Sequence, residues 1–294
     1  MDFTIVTPSL GQLEYLECCI ASVADQQGIS IEHIVQDGGS ANFKEFAETM
    51  SKRWPDRPNY RRVMISEPDS GMYDAINKGL KKGTGLICAY LNCDEQYLAG
   101  ALAKVLDEFR KQPAAEILYG GFLVVDEKGD LVTAQRPVKM FWQHVATSHL
   151  PNFTCATFFR RKMMERDQAW FDSKLKYCGD LQWAIERVKA GISFCCIITF
   201  VSTFLEHSRN FRLSQEGLAE ASRIRESAPN WVQNLGILWK AVHRTRNLID
   251  AAYFSCKVGA SMCLKENINA RKEMGEKWVN TLWTGRFLSP FKCY

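Results

Sequence analysis

The first hundred residues alternate short apolar runs with stretches whose apolar positions recur every three or four residues. Phe3-Thr-Ile-Val-Thr7 is a strand-length run, stopped by Pro8. Ser9-Leu-Gly-Gln12 fits a capping box, in which Ser9 and Gln12 satisfy orphan amides at a helix start. Leu13, Leu16, Ile20 and Val23 follow at helical spacing, and Gly28 ends that helix. Ile31-Glu-His-Ile-Val35 predicts a second strand, opening into the loop Gln36-Asp37-Gly38-Gly39-Ser40. Met72, Ile76 and Leu80 make one stripe of a helix over 72–82, which Gly83 and Gly85 stop. Leu86 to Leu91 is wholly apolar and suits the centre of a sheet. It ends in Asn92-Cys-Asp-Glu95, and a helix begins near Leu98.

Further on, Phe122–Val125 and Leu131–Thr133 flank Glu-Lys-Gly-Asp as a hairpin would. Phe158-Phe159 closes another strand, ahead of Arg160 and Arg161, which read as surface residues. Leu181–Ala190 reads as a helix. Ile192–Leu205, 14 residues and rich in β-branched and aromatic side chains, is too short for a bilayer and reads as one or two buried strands. After Arg209 the pattern turns mainly helical. The expected organisation is an α/β body over 1–215 and a helical, basic and aromatic extension over 216–294. Repeated βα units build a mostly parallel sheet that binds ligands beyond its strands' carboxyl ends. The Thr7-Pro8-Ser9 and Asp37–Ser40 loops lie at such ends.

Composition narrows the function classes. The apolar fraction is 46% and the charged fraction 24%, as in ordinary folded proteins. The net charge of +4 does not argue for nucleic acid, and no RNA-binding signature is present. From Arg209 onward, 14 Lys and Arg face seven Asp and Glu, so the tail carries +7 and the rest −3. Trp231, Trp239, Trp278 and Trp283 lie in that tail. Its Ala228–Val258 stretch suits amphipathic helices on an anionic leaflet, or equally a helical pack on the body or a dimer contact. The 11 cysteines include no Cys-x-x-Cys pair, and Cys18-Cys19 and Cys195-Cys196 fall inside regular elements. With no secretory signal at the start, reduced thiols and a cytoplasmic location, peripheral on the inner membrane face, are expected.

The candidate chemistry lies at the strand ends. Asn92, Asp94 and Glu95 offer a carboxamide and two carboxylates just past a buried strand, where a hard divalent cation would face the cleft. The same acids would suit a helix N-terminus. Asp180 opens a helix after Phe171-Asp-Ser-Lys-Leu-Lys-Tyr-Cys-Gly, where Asp is a favoured cap residue. His207 reads as a solvent-facing loop histidine, and Arg209 and Arg212 are diphosphate clamps or the start of a solvated face.

The long segment Glu67-Pro-Asp-Ser-Gly-Met-Tyr-Asp-Ala-Ile-Asn-Lys-Gly79, followed by Gly85 and Leu91-Asn-Cys-Asp-Glu95, strongly resembles glycosyltransferase family 2. Thr7-Pro8-Ser9 and Asp37–Ser40 resemble the family's donor-binding start. The resemblance implies a GT-A fold of Rossmann type, a nucleotide-diphosphate sugar donor, Mn or Mg, and inversion at the anomeric carbon. It implies that Thr7, Pro8 and Ser9 line the nucleotide pocket and that Asp37 hydrogen-bonds the base. Asp69, Gly71 and Asp74 would order the loop by the ribose and sugar, with Asn77 and Lys78 nearby. Asp94 would be the principal metal ligand, assisted by Asn92 and His207, and Asp180 the base. The acceptor would be a glycan or lipid-linked glycan of cell-surface polysaccharide or lipopolysaccharide synthesis. The acidic turn departs from the family's commonest form, with Asn first and Glu third. That departure is the one feature favouring a non-catalytic sugar-nucleotide scaffold of the same fold. A nucleotidyltransferase would show a Gly-rich basic loop after the first strand, which Ser9–Gln12 is not.

Overall fold

A computed structural model describes residues 1–206, 214–265 and 267–281. Three βα units come first: β1 (Phe3–Ser9), α1 (Leu13–Ala24), β2 (Ile31–Asp37), α2 (Phe43–Arg53), β3 (Tyr60–Ser66) and α3 (Met72–Lys82), leading to β4 (Ile87–Tyr90). Next come β5 (Gln96–Tyr97), α4 (Ala101–Lys111), β6 (Ile117–Val125), β7 (Leu131–Gln135) and α5 (Trp142–Thr147). The body closes with β8 (Thr157–Arg160), α6 (Arg161–Arg166), α7 (Gly179–Lys189) and β9 (Phe194–Leu205). The extension holds α8 (Gln215–Glu226), α9 (Asn230–Asn234), α10 (Gly236–Ile249), β10 (Cys256–Leu264) and β11 (Asn267–Val279).

Nine strands form one sheet in the order β3-β2-β1-β4-β8-β6-β9-β5, with β7 on β6. β1 to β4 are mutually parallel where they pair, β6 pairs β9 in parallel, and β8 runs antiparallel between β4 and β6. Alternation along the strands divides most of the core between two large clusters. Ile5 and Phe158 pack in one with Leu102 and Val105, and Val6 and Phe159 in the other with Ile76 and Leu80. α3 sits so close to β1 that a Cβ on Gly79 would lie 2.5 Å from Val6 Cγ1, so only glycine fits there.

Several local expectations change. β1 does not stop at Pro8 but runs on to Ser9. Val6 O accepts from Leu91 N of the β4 side, and Ser9 O accepts from Gly38 N on the β2 side. Alternation therefore turns Pro8 towards β4, whose pairing with β1 ended at Val6, and its missing amide forfeits no ladder bond. The capping box does not form. Gln12 is the N-cap of α1, without a side-chain cap bond, and its Oε1 accepts from Cys93 Sγ at 2.9 Å. Arg160 and Arg161 are not surface residues; their guanidinium groups donate to the carbonyls of Phe109 and Ala115, and of Leu80 and Gly85.

The extension is helical over α8 to α10, as expected, but 256–279 is a β-hairpin. The hairpin joins the body's core through Cys256, Val258 and Val279. Gln96 exchanges two hydrogen bonds with the Cys263 backbone. Arg271 pairs bidentately with Asp25 and donates to the carbonyls of Tyr97 and Ser261.

Candidate active site

The carboxyl ends of β1, β2 and β4 and the N-termini of α3 and α7 gather most of the expected residues. At the end of β4 the turn 92–95 closes on itself: Glu95 N donates to Asn92 O, and Asn92 N donates to Glu95 Oε2 at 2.9 Å. Glu95 is buried. Burial first, then the Asp94 carboxylate and, more weakly, Asp180, push its pKa up to about 8. Glu95 thus braces the turn from inside, which answers the departure at this position. Asp94 stays half-buried beside it. Asn92 Oδ1 is buried with no hydrogen-bond partner. An unpaired amide oxygen next to a carboxylate is the oxygen donor set that Mg or Mn takes.

Asp180 lies in the first turn of α7, not at its cap, which is Cys178. Its Oδ1 accepts from Tyr73 Oη at 3.1 Å and from Leu181 N at 2.8 Å. Tyr73 comes from α3, so the long 67–79 motif and the 171–180 segment meet at this carboxylate. A Cβ on Gly179 would lie 2.7 Å from the Tyr73 ring, so the glycine before Asp180 admits the tyrosine. Asn77 ties the same two segments by exchanging two hydrogen bonds with the Phe171 backbone.

Two residues here escaped the sequence reading. Glu220 of α8 is buried and accepts from the backbone amides of Lys176, Tyr177 and Cys178, at 2.9, 2.8 and 2.6 Å. It anchors the turn that delivers Asp180, and nothing in local spacing links positions 43 residues apart. The second is Lys176, whose ammonium would lie 3.1 Å from a Cβ on Gly71. It lays a cation over the start of α3.

The remaining donor-side residues mostly shape their own loops. Asp37 is fully buried; it accepts from Gly39 N, Ser40 N, Ser40 Oγ and Ser66 Oγ. As arranged, its carboxylate folds the loop and is not open to a base. Thr7 is also fully buried, with Oγ1 2.9 Å from His33 Nε2, and Pro8 is buried, so neither side chain lines an open pocket. Ser9 Oγ is buried and unpaired. Asp69 accepts from Gly71 N, and Asp74 accepts from Ser70 N. That amide first, then Lys78, holds the Asp74 carboxyl below its usual range. Lys78 pairs with Asp74 at 3.2 Å and donates to Pro68 O. His207, Arg209 and Arg212 lie outside the described residues.

A mostly parallel α/β sheet with an acidic turn at the end of a central strand and a second carboxylate across the cleft is the GT-A arrangement. The sequence model of Glycosyl transferase family 2 matches residues 4–181, more than half of the chain, and the chain belongs to that family. A PGL/p-HBAD biosynthesis glycosyltransferase of Mycobacterium tuberculosis is 30% identical over 125 residues, 42% of this chain and 47% of that one. The putative teichuronic acid biosynthesis glycosyltransferase TuaG of Bacillus subtilis is 26% identical over 126 residues, 43% of this chain and 48% of that one. The matched region spans about half the length of these curated relatives. Among solved structures, S. aureus TarS 1-349 in complex with UDP-GlcNAc aligns with a TM-score of 0.58 at 13% identity, over 85% of this chain and 73% of that one. The mannosyltransferase PcManGT from Pyrobaculum calidifontis, in complex with GDP-Man and Mn2+, gives 0.54 at 14% identity, over 83% and 75%. These likenesses are of fold.

Proposed function

We propose that this chain is a metal-dependent, inverting glycosyltransferase that moves a sugar from a UDP- or GDP-sugar to a hydroxyl of a glycan or lipid-linked glycan. The observation that carries the reading is Asp180, held by Tyr73 from the family's long motif and close enough to the Asp94–Glu95 turn to act on Glu95. Asp94 and Asn92 would hold Mn or Mg, and the bound cation would offset the charge that gathers on the departing diphosphate. Asp180 accepts the acceptor hydroxyl's proton as that oxygen attacks the anomeric carbon from the face opposite the diphosphate. Tyr73 and the Leu181 amide hold the carboxylate in place for that transfer. Lys176 gives the donor side a cation, whereas Asp37, Asp69 and Asp74 act by ordering the loops.

The extension supports a membrane-bound acceptor. Ile237, Ile249, Trp231 and Phe254 are exposed, and Arg244 and Arg246 stand among them. Apolar anchors mixed with cations suit an anionic leaflet. Among the described residues no helix is long and apolar enough to cross a membrane, so this contact would lie in the interface plane.

Calorimetry with UDP and with GDP, in Mn2+ and in chelator, tests the donor reading. Metal-dependent binding of one nucleotide, lost in Asp94→Ala, is expected. Asp180→Asn should keep that binding and lose about 100-fold or more of transfer. A folded protein that binds neither nucleotide would overturn the reading, whereas metal-dependent binding with neither transfer nor donor hydrolysis would favour the scaffold. Co-sedimentation tests the membrane contact: binding to phosphatidylglycerol vesicles should fall in Ile237→Asp/Ile249→Asp, and equal binding in both proteins would remove it.

A further inference from the structure

α10 is packed the wrong way round for a helix held by hydrophobic burial. Its buried residues are His243 and Asn247, while Ile237, Leu238, Leu248 and Ile249 face outward. Beneath it, α5 presents His144, also buried, and His149 lies just past the C-terminal cap of α5 at Ser148. The ligating ring atoms of these three histidines all lie within 4.8 Å of one another. The His144 and His243 rings stack at 3.7 Å between centroids, and His149 stands edge-on to both. Neither His144 Nδ1 nor His243 Nδ1 has a hydrogen-bond partner, although both are buried. Two orphaned imidazole nitrogens cost stability unless something else engages them.

We propose that His144, His149 and His243 form a binding site for a transition-metal ion of the Zn2+ type, which clamps α10 to the α5 segment. Three imidazoles and no carboxylate favour Zn2+, Co2+ or Cu2+ over Mg2+ or Ca2+, which seek oxygen. The site is therefore chemically unlike the Asp94–Asn92 oxygen set. Burial first, then His243, Lys240 and Arg244, holds His144 at about 2, and burial first, then Arg246 and Arg244, holds His243 at about 4. Both rings are neutral at pH 7, as ligation requires. Those same cations add no charge compensation for a divalent ion, so the nitrogen–metal bonds must supply the affinity.

Outer partners are in place. His243 Nε2 lies 2.9 Å from the Asn247 amide, which also reaches Tyr253 Oη at 3.1 Å. Turning that amide over lets its oxygen accept from both, and leaves the His243 lone pair on Nδ1, the orphaned atom. Ser148 Oγ lies 3.1 Å from His149 Nδ1 and can fix that ring in the same manner. Stacked rings hold their in-plane lone pairs side by side, so loading must turn one of them.

The test uses the full chain, freed of any histidine tag and of metal, titrated with Co2+ and followed by its visible absorption. One Co2+ per chain with tetrahedral bands, displaced by Zn2+, is expected. Asp94→Ala should keep the bands. His243→Gln should lose them, and His149→Gln, at a half-exposed position that does not endanger folding, should weaken binding by about tenfold or more. Absence of the bands in the wild type, or their persistence in His149→Gln at unchanged affinity, overturns the site. Loss of the bands in Asp94→Ala would assign the metal to the other centre and overturn it equally.

Discussion

At the scale of single residues, the site is a set of carboxylates with divided tasks. Glu95 and Asp37 face inward and build turns, Asp94 and Asp180 remain half-buried, and Glu220 ties down a loop from another element. Tyr73 is the most informative of the neutral residues, because its hydroxyl contacts Asp180 directly. Tyr73→Phe keeps the ring that packs under Gly179 and removes only that donor. A hydrogen bond to a charged group contributes about 1.5–3 kcal/mol. Transfer should therefore slow by about ten- to 100-fold through kcat, with KM for the donor unchanged; initial rates across donor concentrations would show it. An equal change in kcat and KM, or none, would deny Tyr73 its positioning role. The positions of Asp94 just past β4 and of Asp180 in the first turn of α7 were legible in the sequence, because a long motif precedes one and a turn pattern the other. The duties of Asp37 and Thr7 were not, since a motif marks a position without saying which way its side chain turns. Glu220 was out of reach altogether, as its partners are distant in the chain.

Elements show the same division between local and long-range information. α3 and β4 follow the apolar pattern closely, because one buried stripe or one apolar run decides each. α2 and β3 were passed over. β3 begins Tyr60-Arg-Arg and is only partly buried, with Arg62 turned inward to the carbonyls of Met50 and Trp54, so no clean alternation marks it. The hairpin β10–β11 was read as helix for a related reason. Bulges near Gly259 and at Cys263/Leu264 break the period of two, and the Lys-Glu-x-x-Glu-Lys spacing of β11 imitates a helical face. Its place is held by Arg271, whose guanidinium is largely buried against Asp25 and the carbonyls of Ser22, Tyr97 and Ser261. Removing one member of such a pair leaves the other uncompensated, and Asp25 is about one-third exposed, which softens the cost. Arg271→Ala should lower the unfolding free energy by about 2–3 kcal/mol in urea titrations. Arg271→Lys should not restore it, because the bidentate geometry needs the planar fork.

The whole molecule gathers neutral histidines in its interior, and this gives it a predictable response to acid. Burial, with Arg62 nearby, holds His33 at about 3; His144 lies at about 2 and His243 at about 4. Each folded value lies below the ordinary 6.5. Their contribution is therefore intact above pH 6.5 and is lost as pH falls towards those values, since only the unfolded chain takes up the protons. Glu95 works in the opposite sense. With its pKa raised from 4.5 to about 8, its contribution is complete below 4.5 and is lost as pH rises through 8. Between pH 4.5 and 6.5 unfolding takes up protons at three histidines and releases one at Glu95, so the histidines prevail. Each net proton tilts stability by about 1.4 kcal/mol per pH unit. In chelator, the unfolding free energy should fall as pH drops from 6.5 to 5. His33→Gln should make that decline shallower by about one proton's worth, and Glu95→Gln should make it steeper. A wild-type stability that is flat or rising across that interval would mean that the imidazoles already carry protons in the folded protein. The neutral cluster under α10 would then be the first part of the interior to reconsider, since it holds two of these three imidazoles.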